Sequence, residues 1–448
     1  MTAEFDRRQF VALLAGSVLA RTTLASTLDA SRRMPRIDAR RLQGTLEQLS
    51  TFGRPPGGSF ADGVSRMAYS DADVAGRAYA IELLRAAGLD PRIDAAGNIT
   101  GRRAGSDRSL KPIVMGSHID SVPGGGNFDG QLGSMAAIEV VQTLNGHRIT
   151  TRHPLEVTLW SNEEGGPIGS GAVIDAVSSE TLDRNFNGLS MRDGVRKIGG
   201  DPDRIAEARR PPRSLHCYLE LHIEQGNTLE NRAVPIGVVD GIVSIDEYDV
   251  EVRGFANHAG TTAMAERRDA LLAAAKLVEA VREVATRTPG RQVGTVGRFE
   301  VFPNAPNVIP GLVKLSIEFR DLSDETVARL GAEVTERARQ IARQTDTEIS
   351  IVRGWHDDAA LAAPEVQRQI EASAAALGLN TMHLPSGAGH DAQNLAKLGP
   401  MGMIFVPSIG GISHSPKELS RWSDCANGAD VLLQTMLRVD RAELEGSA

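Results

Sequence analysis

The chain has 448 residues, of which 41% are hydrophobic, and a formal net charge of −8 at pH 7. This composition is typical of globular proteins and argues against intrinsic disorder, and the length suggests about two to three domains. Because the net charge is mildly negative, the chain lacks the excess of Lys and Arg that is typical of nucleic-acid-binding proteins and of proteins attached to anionic membranes. Two cysteines, Cys217 and Cys425, are too few for a disulfide framework.

The first part of the sequence, residues 1–30, resembles an export signal. Arg7 and Arg8 precede an apolar run at 10–20, which is too short to span a bilayer but fits the core of a signal peptide. A twin arginine followed by Phe10 resembles the signal for export of folded proteins. We therefore predict a twin-arginine-type signal peptide at 1–30 and a periplasmic or secreted protein, with no membrane attachment after export.

Helices and strands alternate over the next segment, residues 31–240. Such alternation predicts an α/β fold with a mostly parallel sheet flanked by helices, and ligands of such sheets bind at the carboxyl ends of the strands. The predicted elements are a helix within 35–55, a helix at 71–87 that ends at Gly88, a strand at 113–118, a glycine-rich loop at 124–130, a helix ending at 144 and a strand at 155–160.

From 241 to 353 the pattern changes to that of a second domain. The predicted order is a strand at 245–252, a helix at 267–286, strands at 293–302 and 313–319, a helix at 324–344 and a strand at 348–352. This β-α-β-β-α-β order predicts an inserted α+β domain with its helices on one face of the sheet. The first domain resumes at 354–448 with a helix at 365–377 and a strand at 401–406.

Imidazole and carboxylate side chains recur in five short segments that are rich in glycine or follow apolar strands. They are His118 in GSHIDSV, Asp129 in NFDGQLG, Glu163 and Glu164 in WSNEEGG, His222 in ELHIEQG, and His414 in GISHSP. A single histidine is usually structural, and adjacent carboxylates repel each other unless a cation is near. Two imidazoles and two carboxylates would hold one zinc ion, whereas a third histidine and a carboxylate that bridges predict two ions.

Within this set, Glu163 remains free to act as a general base, so the pattern predicts metal-assisted hydrolysis. Asp120 lies two residues after His118, where its carboxylate is predicted to accept the second ring N–H of that ligand.

Together with NHAGTT, PNVIP and PSGAGHDAQ, these segments resemble the hydantoinase/carbamoylase family of dinuclear-zinc amidohydrolases. That family includes N-carbamoyl-L-amino acid hydrolases, allantoate amidohydrolases and β-ureidopropionases, and it belongs to the clan of aminoacylases and zinc carboxypeptidases. The resemblance spans about 35–440, and His222 followed by Ile-Glu-Gln-Gly is typical of the carbamoylase branch. It implies a zinc-peptidase-like catalytic domain and a homodimer formed through the inserted domain, which also acts as a lid.

The resemblance also implies roles for individual residues. Glu163 would be the base and His258 would stabilise the oxyanion, from its own chain or from the partner subunit. The implied metal ligands are His118, Asp129, Glu164, His222 and His414, holding two divalent ions, with Zn preferred and Mn, Co or Ni as alternatives. The implied substrate contacts are Gln225, His258, Asn307, Arg320, Gly389 and His390. A structural ion pair is the alternative role for Arg320.

Two positions depart from the family pattern. Ala263 stands where a proline usually follows NHAGTT, and residues 245–247 are Ile-Asp-Glu where some relatives carry a basic or amide residue that binds substrate. The second departure argues against the additional carboxylate or ureide contact that allantoate would require.

The predicted activity is hydrolysis of the linear C–N bond of a small ureido substrate that bears a carboxylate, with an N-carbamoyl-L-amino acid as the preferred substrate. The alternatives are an allantoate or N-carbamoyl-β-alanine amidohydrolase, an N-acyl amino acid hydrolase or peptidase, a periplasmic ligand-binding protein on the same fold, and a protein with a structural metal. The presence of Glu163 argues against a binding protein, because a binding protein needs no general base.

Overall fold

The computed structural model describes residues 34–444. The signal peptide predicted at 1–30 lies outside these residues and stays a prediction. No helix in the described part of the chain is both long enough and apolar enough to cross a membrane.

The first part of the described chain contains eight strands and seven helices. The helices are α1 (Ala39–Leu49), α2 (Asp71–Ala86), α3 (Gln131–Gly146), α4 (Ile168–Val173), α5 (Ser179–Asp183), α6 (Met191–Lys197) and α7 (Thr228–Arg232). The strands are β1 (Asp90–Ile93), β2 (Ile99–Arg103), β3 (Ile113–His118), β4 (Leu155–Trp160), β5 (Asn185–Phe186), β6 (Leu189–Ser190), β7 (Cys217–Ile223) and β8 (Ile236–Ile242). Asp38 and Ser70 cap α1 and α2 by accepting backbone N–H groups of the first turn.

The middle part contains the predicted second sheet. The strands of this part are β9 (Ser244–Arg253), β10 (Asn257–His258), β11 (Val293–Thr295), β12 (Phe299–Phe302), β13 (Val308–Ile309), β14 (Leu312–Asp321) and β15 (Glu348–Asp357), and its helices are α8 (Ala270–Arg287) and α9 (Asp324–Thr345). Strands β10 and β13 form a separate two-stranded sheet. The predicted single strand at 293–302 is two strands, because the register against β14 shifts by one residue between β11 and β12. The chain bulges between them at 296–298.

The last part returns to the first sheet. It comprises β16 (Ala360–Leu361), α10 (Pro364–Ala376), β17 (Thr381–Ser386), α11 (Asp391–Leu395), β18 (Met401–Val406) and α12 (Trp422–Val439).

The main sheet has nine strands in the order β1-β2-β4-β3-β7-β18-β8-β16, with β17 also paired to β8. The four central strands β4, β3, β7 and β18 are parallel, whereas β2 and β8 pair antiparallel with their central neighbours. Every residue of these four strands is buried, as expected for parallel strands covered by helices on both faces. The predicted α/β class, with a mostly parallel central sheet, is confirmed.

The second sheet is antiparallel and has five strands in the order β11-β14-β9-β15, with β12 also paired to β14, and it has its own hydrophobic core. Alternate residues of β9, such as Val250, are buried with Leu277 of α8 and Leu330 of α9, while Asp249 points to the opposite, exposed face. A separate sheet and core support the predicted insertion. Its boundaries at 241 and 353 stay predictions, and β15 continues past the second of them to Asp357.

Candidate metal centre

The predicted metal ligands come together at the carboxyl ends of the central strands. His118 is the last residue of β3 and His222 is near the end of the adjacent parallel strand β7. Glu164 follows β4, Asp129 precedes α3, and His414 lies in the loop after β18. Because parallel strands end at the same edge of the sheet, segments far apart in sequence meet at this point.

The Asp129 carboxylate is at the centre of the cluster. Its Oδ1 lies 3.6 Å from Nε2 of His118 and 3.2 Å from Nε2 of His222. Its Oδ2 lies 3.4 Å from Nε2 of His414, which in turn is 3.5 Å from Oε2 of Glu164. Two groups of three potential ligands therefore share Asp129, one completed by His118 and His222 and the other by Glu164 and His414.

The tautomers of the two buried histidines suit metal binding. Nδ1 of His222 lies 2.9 Å from the carbonyl of Ile223, and Nδ1 of His118 lies 3.0 Å from the main-chain carbonyl of Asp120. In each ring Nδ1 can donate, so the lone pair of Nε2 is directed towards Asp129. The Gly130 N–H donates to Nε2 of His222 at 3.1 Å, which requires that nitrogen to be unprotonated.

The Asp120 carboxylate differs from its predicted role. It lies 3.7 Å from Nδ1 of His118, too far for a hydrogen bond, and the main-chain carbonyl of Asp120 takes that place. The carboxylate instead accepts the backbone N–H groups of Glu163 at 3.4 Å and Glu164 at 3.2 Å. Asp120 therefore orients the loop that carries the two adjacent glutamates.

The charges at the site also fit a cation. Burial raises the pKa of Glu163 well above its usual range, although His118 opposes the shift. Burial, and then the nearby Asp129 carboxylate, raise the pKa of Glu164 to about 7. A divalent cation would oppose both shifts, because its positive charge stabilises the ionised carboxylates in their buried position. The donor set of imidazole nitrogens and carboxylate oxygens suits Zn, Mn, Co or Ni.

A third group of potential ligands lies beneath His222 but is satisfied by protein contacts. It comprises Glu220, His222 and His390. Glu220 accepts hydrogen bonds from Ser117 at 2.7 Å and from the hydroxyl of Tyr218 at 2.9 Å. His390 is buried, its Nε2 is 2.8 Å from the hydroxyl of Ser386, and its ring centroid is 4.5 Å from that of His222. We interpret this group as packing that supports a metal ligand.

A cavity of about 540 Å³ opens beside the centre. Gln225, Ser413 and His414 line it, together with the loop residues Gly387 and Ala388. Gln225 donates from Nε2 to Asp129 at 2.7 Å, and its Oε1 is buried without a hydrogen-bond partner. The predicted contacts Gly389 and His390 are not among the residues that line this cavity, because the loop presents its two preceding residues instead.

The structure brings His258 and Asn307 together on the β10–β13 pair. The N–H of Ala259 donates to the Asn307 carbonyl at 3.0 Å, and both predicted residues are exposed. Nδ1 of His258 accepts from the N–H groups of Gly260 at 3.0 Å and Thr261 at 3.2 Å, so Nε2 carries the ring proton. Within residues 34–444, no hydrogen bond or ion pair joins either side chain to the metal-centre residues.

Arg320 has the ion pair that was its alternative role. Its Nε and Nη2 donate to the two carboxylate oxygens of Glu318 at 2.7 and 3.0 Å, and its Nη1 donates to the Gly387 carbonyl at 2.6 Å. The last contact connects the second sheet to the loop that lines the cavity. Each terminal nitrogen of the guanidinium carries a further N–H group that these contacts do not use. One N–H on Nη1 and one on Nη2 therefore remain for a substrate carboxylate.

Sequence reasoning missed two buried acids near the centre. Glu418 accepts the backbone N–H groups of Phe128 at 2.9 Å and Asp129 at 3.1 Å. Asp391 is fully buried; burial, and then Glu220, raise its pKa well above the usual range. In the sequence, only their positions next to predicted site residues could have indicated these acids, because Glu418 follows the His414 motif closely and Asp391 follows His390 directly.

Comparison with known proteins agrees with this geometry. The family model for peptidase family M20/M25/M40 matches residues 114–438. An N-carbamoyl-L-amino acid amidohydrolase from Geobacillus stearothermophilus is 39% identical over 91% of this chain and 100% of its own length. A ureidoglycolate hydrolase from Arabidopsis thaliana is 34% identical over 90% of this chain and 87% of its own length.

Among solved structures, an amidase of the hydantoinase/carbamoylase family from Burkholderia multivorans superposes with a TM-score of 0.83 at 34% identity. The match covers 92% of this chain and 100% of that one. Both the sequence and the fold therefore match over nearly the full length of these relatives. The chain belongs to the M20/M25/M40 peptidase family and, within it, to the hydantoinase/carbamoylase group of amidohydrolases.

Proposed function

We propose that the protein hydrolyses N-carbamoyl-L-amino acids with two divalent metal ions. The observation that carries the proposal is the sharing of Asp129 between two groups of potential ligands beside a cavity. The similarity to the amidohydrolase from Geobacillus stearothermophilus supports the substrate class. Water would attack the ureido carbonyl carbon and the bond to the amino-acid nitrogen would break. The products would be the free amino acid and carbamic acid, which decomposes to ammonia and carbon dioxide.

Each of the two ligand groups would hold one ion. His118, Asp129 and His222 would hold one ion, and Asp129, Glu164 and His414 the other. When bound, two divalent cations would polarise the ureido carbonyl and lower the pKa of water at the site.

Glu163 would move the proton. It belongs to neither ligand group, yet its Oε2 lies 3.7 Å from Nε2 of His118, at the edge of the cluster. Burial raises its pKa well above the usual carboxyl range, so Glu163 is a stronger base than an exposed carboxylate once it is ionised. Glu163 would accept a proton from the attacking water and deliver it to the leaving nitrogen, while Asp120 holds its backbone in place.

The inserted domain would supply groups that recognise the substrate. The N–H at Nε2 of His258 is free to donate to the developing oxyanion. The two remaining N–H groups of Arg320 and the amide of Asn307 would bind the substrate carboxylate. Gln225, which lines the cavity and has an unpartnered Oε1, would accept a ureido N–H. Closure of the inserted domain, or a partner subunit in a homodimer, would bring His258 to the centre.

A substrate screen tests the proposed function. Purified protein supplied with Zn²⁺, Mn²⁺ or Co²⁺ is assayed against N-carbamoyl-L-amino acids, N-carbamoyl-β-alanine, allantoate, ureidoglycolate, N-acetyl amino acids and dipeptides. We expect release of equal amounts of ammonia and free amino acid from the N-carbamoyl-L-amino acids. Turnover of N-acetyl amino acids or dipeptides alone would replace the proposal with an acylase or peptidase activity.

We also propose that the chain is exported in its folded state through residues 1–30. The support is the Arg7-Arg8 pair followed by a short apolar run. Fractionation of cells that express the natural chain or its Arg7→Lys/Arg8→Lys variant tests this proposal. Retention of the variant in the cytoplasm supports export by this route, and identical distribution of both chains contradicts it.

A further inference from the structure

A buried carboxylate connects the two loops that carry Asp129 and His414. Glu418 is only 5% exposed and lies in the loop after His414. Its Oε1 accepts the backbone N–H of Phe128 at 2.9 Å and that of Asp129 at 3.1 Å. These two hydrogen bonds hold a residue near the end of the chain against the loop before α3.

Ser413 adds a second connection between the same loops. Its hydroxyl is 2.9 Å from Oδ2 of Asp129 and 2.9 Å from Oε2 of Glu418. A hydroxyl has one hydrogen and can donate to only one of these oxygens at a time, so it lies between the two carboxylates and serves either. Because Ser413 is adjacent to His414 in sequence, the position of that ligand depends on these contacts.

The surroundings leave little room for Glu418 to move. A Cβ atom at Gly126 would lie 2.1 Å from its Oε1, so only glycine fits there. His414 has a φ of +53°, in the left-handed region that residues other than glycine rarely adopt. A backbone in that region is maintained only where surrounding contacts hold it, and Ser413, the residue before His414, has such contacts with Asp129 and Glu418.

The two ligand groups differ in how much they need this support. His118 and His222 are on neighbouring strands of the central sheet, and their side chains are 1% and 0% exposed. The side chain of His414 is 51% exposed and its residue lies in a loop. The strands therefore hold the first group, whereas the second relies on the connection between loops.

We propose that Glu418 is a positioning residue that aligns His414 with the shared carboxylate of Asp129. The group Asp129, Glu164 and His414 then depends on Glu418 for its metal affinity, and the group His118, Asp129 and His222 depends on it much less. The inference rests on the proposed two-ion function and concerns how the chain builds the second of the two sites.

Metal-binding measurements on full-length variants test this inference. The natural chain, Glu418→Ala, Glu418→Gln and Lys417→Ala are equilibrated with graded free Zn²⁺, and bound metal is counted by mass spectrometry. In Glu418→Ala, we expect one ion to bind as in the natural chain and the second to bind about 10–100-fold more weakly. Glu418→Gln should recover most of the affinity, because its amide oxygen can accept the same two N–H groups. Lys417 is exposed on the same loop, so Lys417→Ala serves as the matched control.

The outcomes separate this inference from the proposed function. An unchanged second affinity in folded Glu418→Ala, or an equal loss at both sites, overturns the role of Glu418. If circular dichroism shows that Glu418→Ala does not fold, the affinity for the second ion is measured on Ser413→Ala instead. A second-ion affinity weaker than that of the natural chain then supports the inference, and an unchanged affinity overturns it. A natural chain that binds a single ion refutes the two-ion site itself, and this inference with it.

Discussion

At the scale of single residues, the candidate centre depends most on Asp129, whose two oxygens face different histidines. Oδ1 is close to His118 and His222, and Oδ2 is close to His414. Burial disfavours its charge, but when the three imidazoles are protonated at Nε2, their hydrogen bonds hold the pKa of Asp129 well below the usual range. A bound cation would take the place of those protons. Asp129 therefore stays ionised and available to bridge two cations, whereas burial makes ionisation of Glu163 difficult.

The first prediction separates the adjacent glutamates. Glu163→Gln should retain both ions and lose at least about 100-fold in kcat, because the amide cannot accept the proton from water. Glu164→Gln should lose affinity for the second ion, since Glu164 belongs to that ligand group. Metal content and kcat are measured on both variants. If Glu163→Gln keeps most of the activity, the roles of the two carboxylates are assigned wrongly.

The second prediction concerns pH. Burial, and then Asp129, raise the pKa of Glu164 to about 7, and the hydrogen bond to Asp129 raises that of His414 to about 9. Both groups must lose a proton to bind a cation, so the affinity for the second ion falls as the pH falls through these values. Over the same pH range, metal binding releases more protons from the protein. Co²⁺ titrations at about pH 8 and about pH 6 should show tighter binding at the higher value. Equal affinities at both pH values would count against these ligands.

At the scale of elements, the sheet and its loops determine which residues meet. The loop before α3 approaches His118 so closely that a Cβ at Gly130 would lie 2.2 Å from Nε2 of that ligand, and Gly130 has a φ of +68°. The loop after β17 is held by Arg320 of β14, so the second sheet contacts the cavity through one ion-paired side chain. Both features tie a loop to a rigid element.

The third prediction tests the loop before α3. Gly130→Ala should abolish most metal binding, because the added methyl group occupies the space of His118 and the backbone conformation is strained. Gly146→Ala at the end of α3 is the matched control: nothing lies within 4 Å of its Cβ position, so stability should be unchanged or slightly higher. Metal content and thermal unfolding are compared. Normal metal content in Gly130→Ala would contradict the close packing at this loop.

The fourth prediction tests the contact from the second sheet. Arg320→Lys should raise KM for N-carbamoyl amino acids about 10–100-fold with a smaller change in kcat, because lysine cannot reproduce a charged forked hydrogen bond of roughly 1.5–3 kcal/mol. Arg298→Lys is the control, since Arg298 pairs with Asp249 on the same sheet. Steady-state kinetics provide the comparison. An equal effect in both variants would mean that Arg320 contributes only to the structure of the sheet.

At the scale of the whole molecule, the described chain combines two large sheets with separate cores, and the residues proposed for catalysis do not all lie on the main one. The ligands and Glu163 lie at the edge of the main sheet, whereas His258 lies on the separate two-stranded β10–β13 sheet of the middle part of the chain. His258 is exposed and has no bond to the centre in the described chain, so its proposed role in catalysis requires domain closure or a partner subunit. Closed two-fold dimers are the commonest oligomers.

The fifth prediction tests a dimer in which His258 acts on the partner's centre. His258→Ala and Glu163→Gln should each be inactive alone, with a loss of roughly 3–4 kcal/mol in transition-state stabilisation for the histidine. Mixing the two after verified subunit exchange should restore part of the activity, because one site of each mixed dimer then has both groups intact. A mixture that stays inactive would indicate that His258 acts within its own chain.

The sequence by itself determined the class of fold and the five candidate ligands, because both depend on local patterns. Apolar runs of strand length ending in a histidine or a glutamate pair predict where β3, β4 and β7 end, and parallel strands end together. The resemblance to the carbamoylase family followed from the same short segments, and the comparisons confirmed it.

Only the tertiary structure decided which partners these residues have. Glu418 meets Asp129 across 289 positions of the chain, and no local pattern encodes such a hydrogen bond. The atom of Asp120 that contacts His118, the pairing of Arg320 with Glu318, and the burial of His390 likewise depend on side-chain directions set by packing. Local sequence determines which groups are present at the end of a strand, whereas the distances between strands and loops decide which of those groups touch.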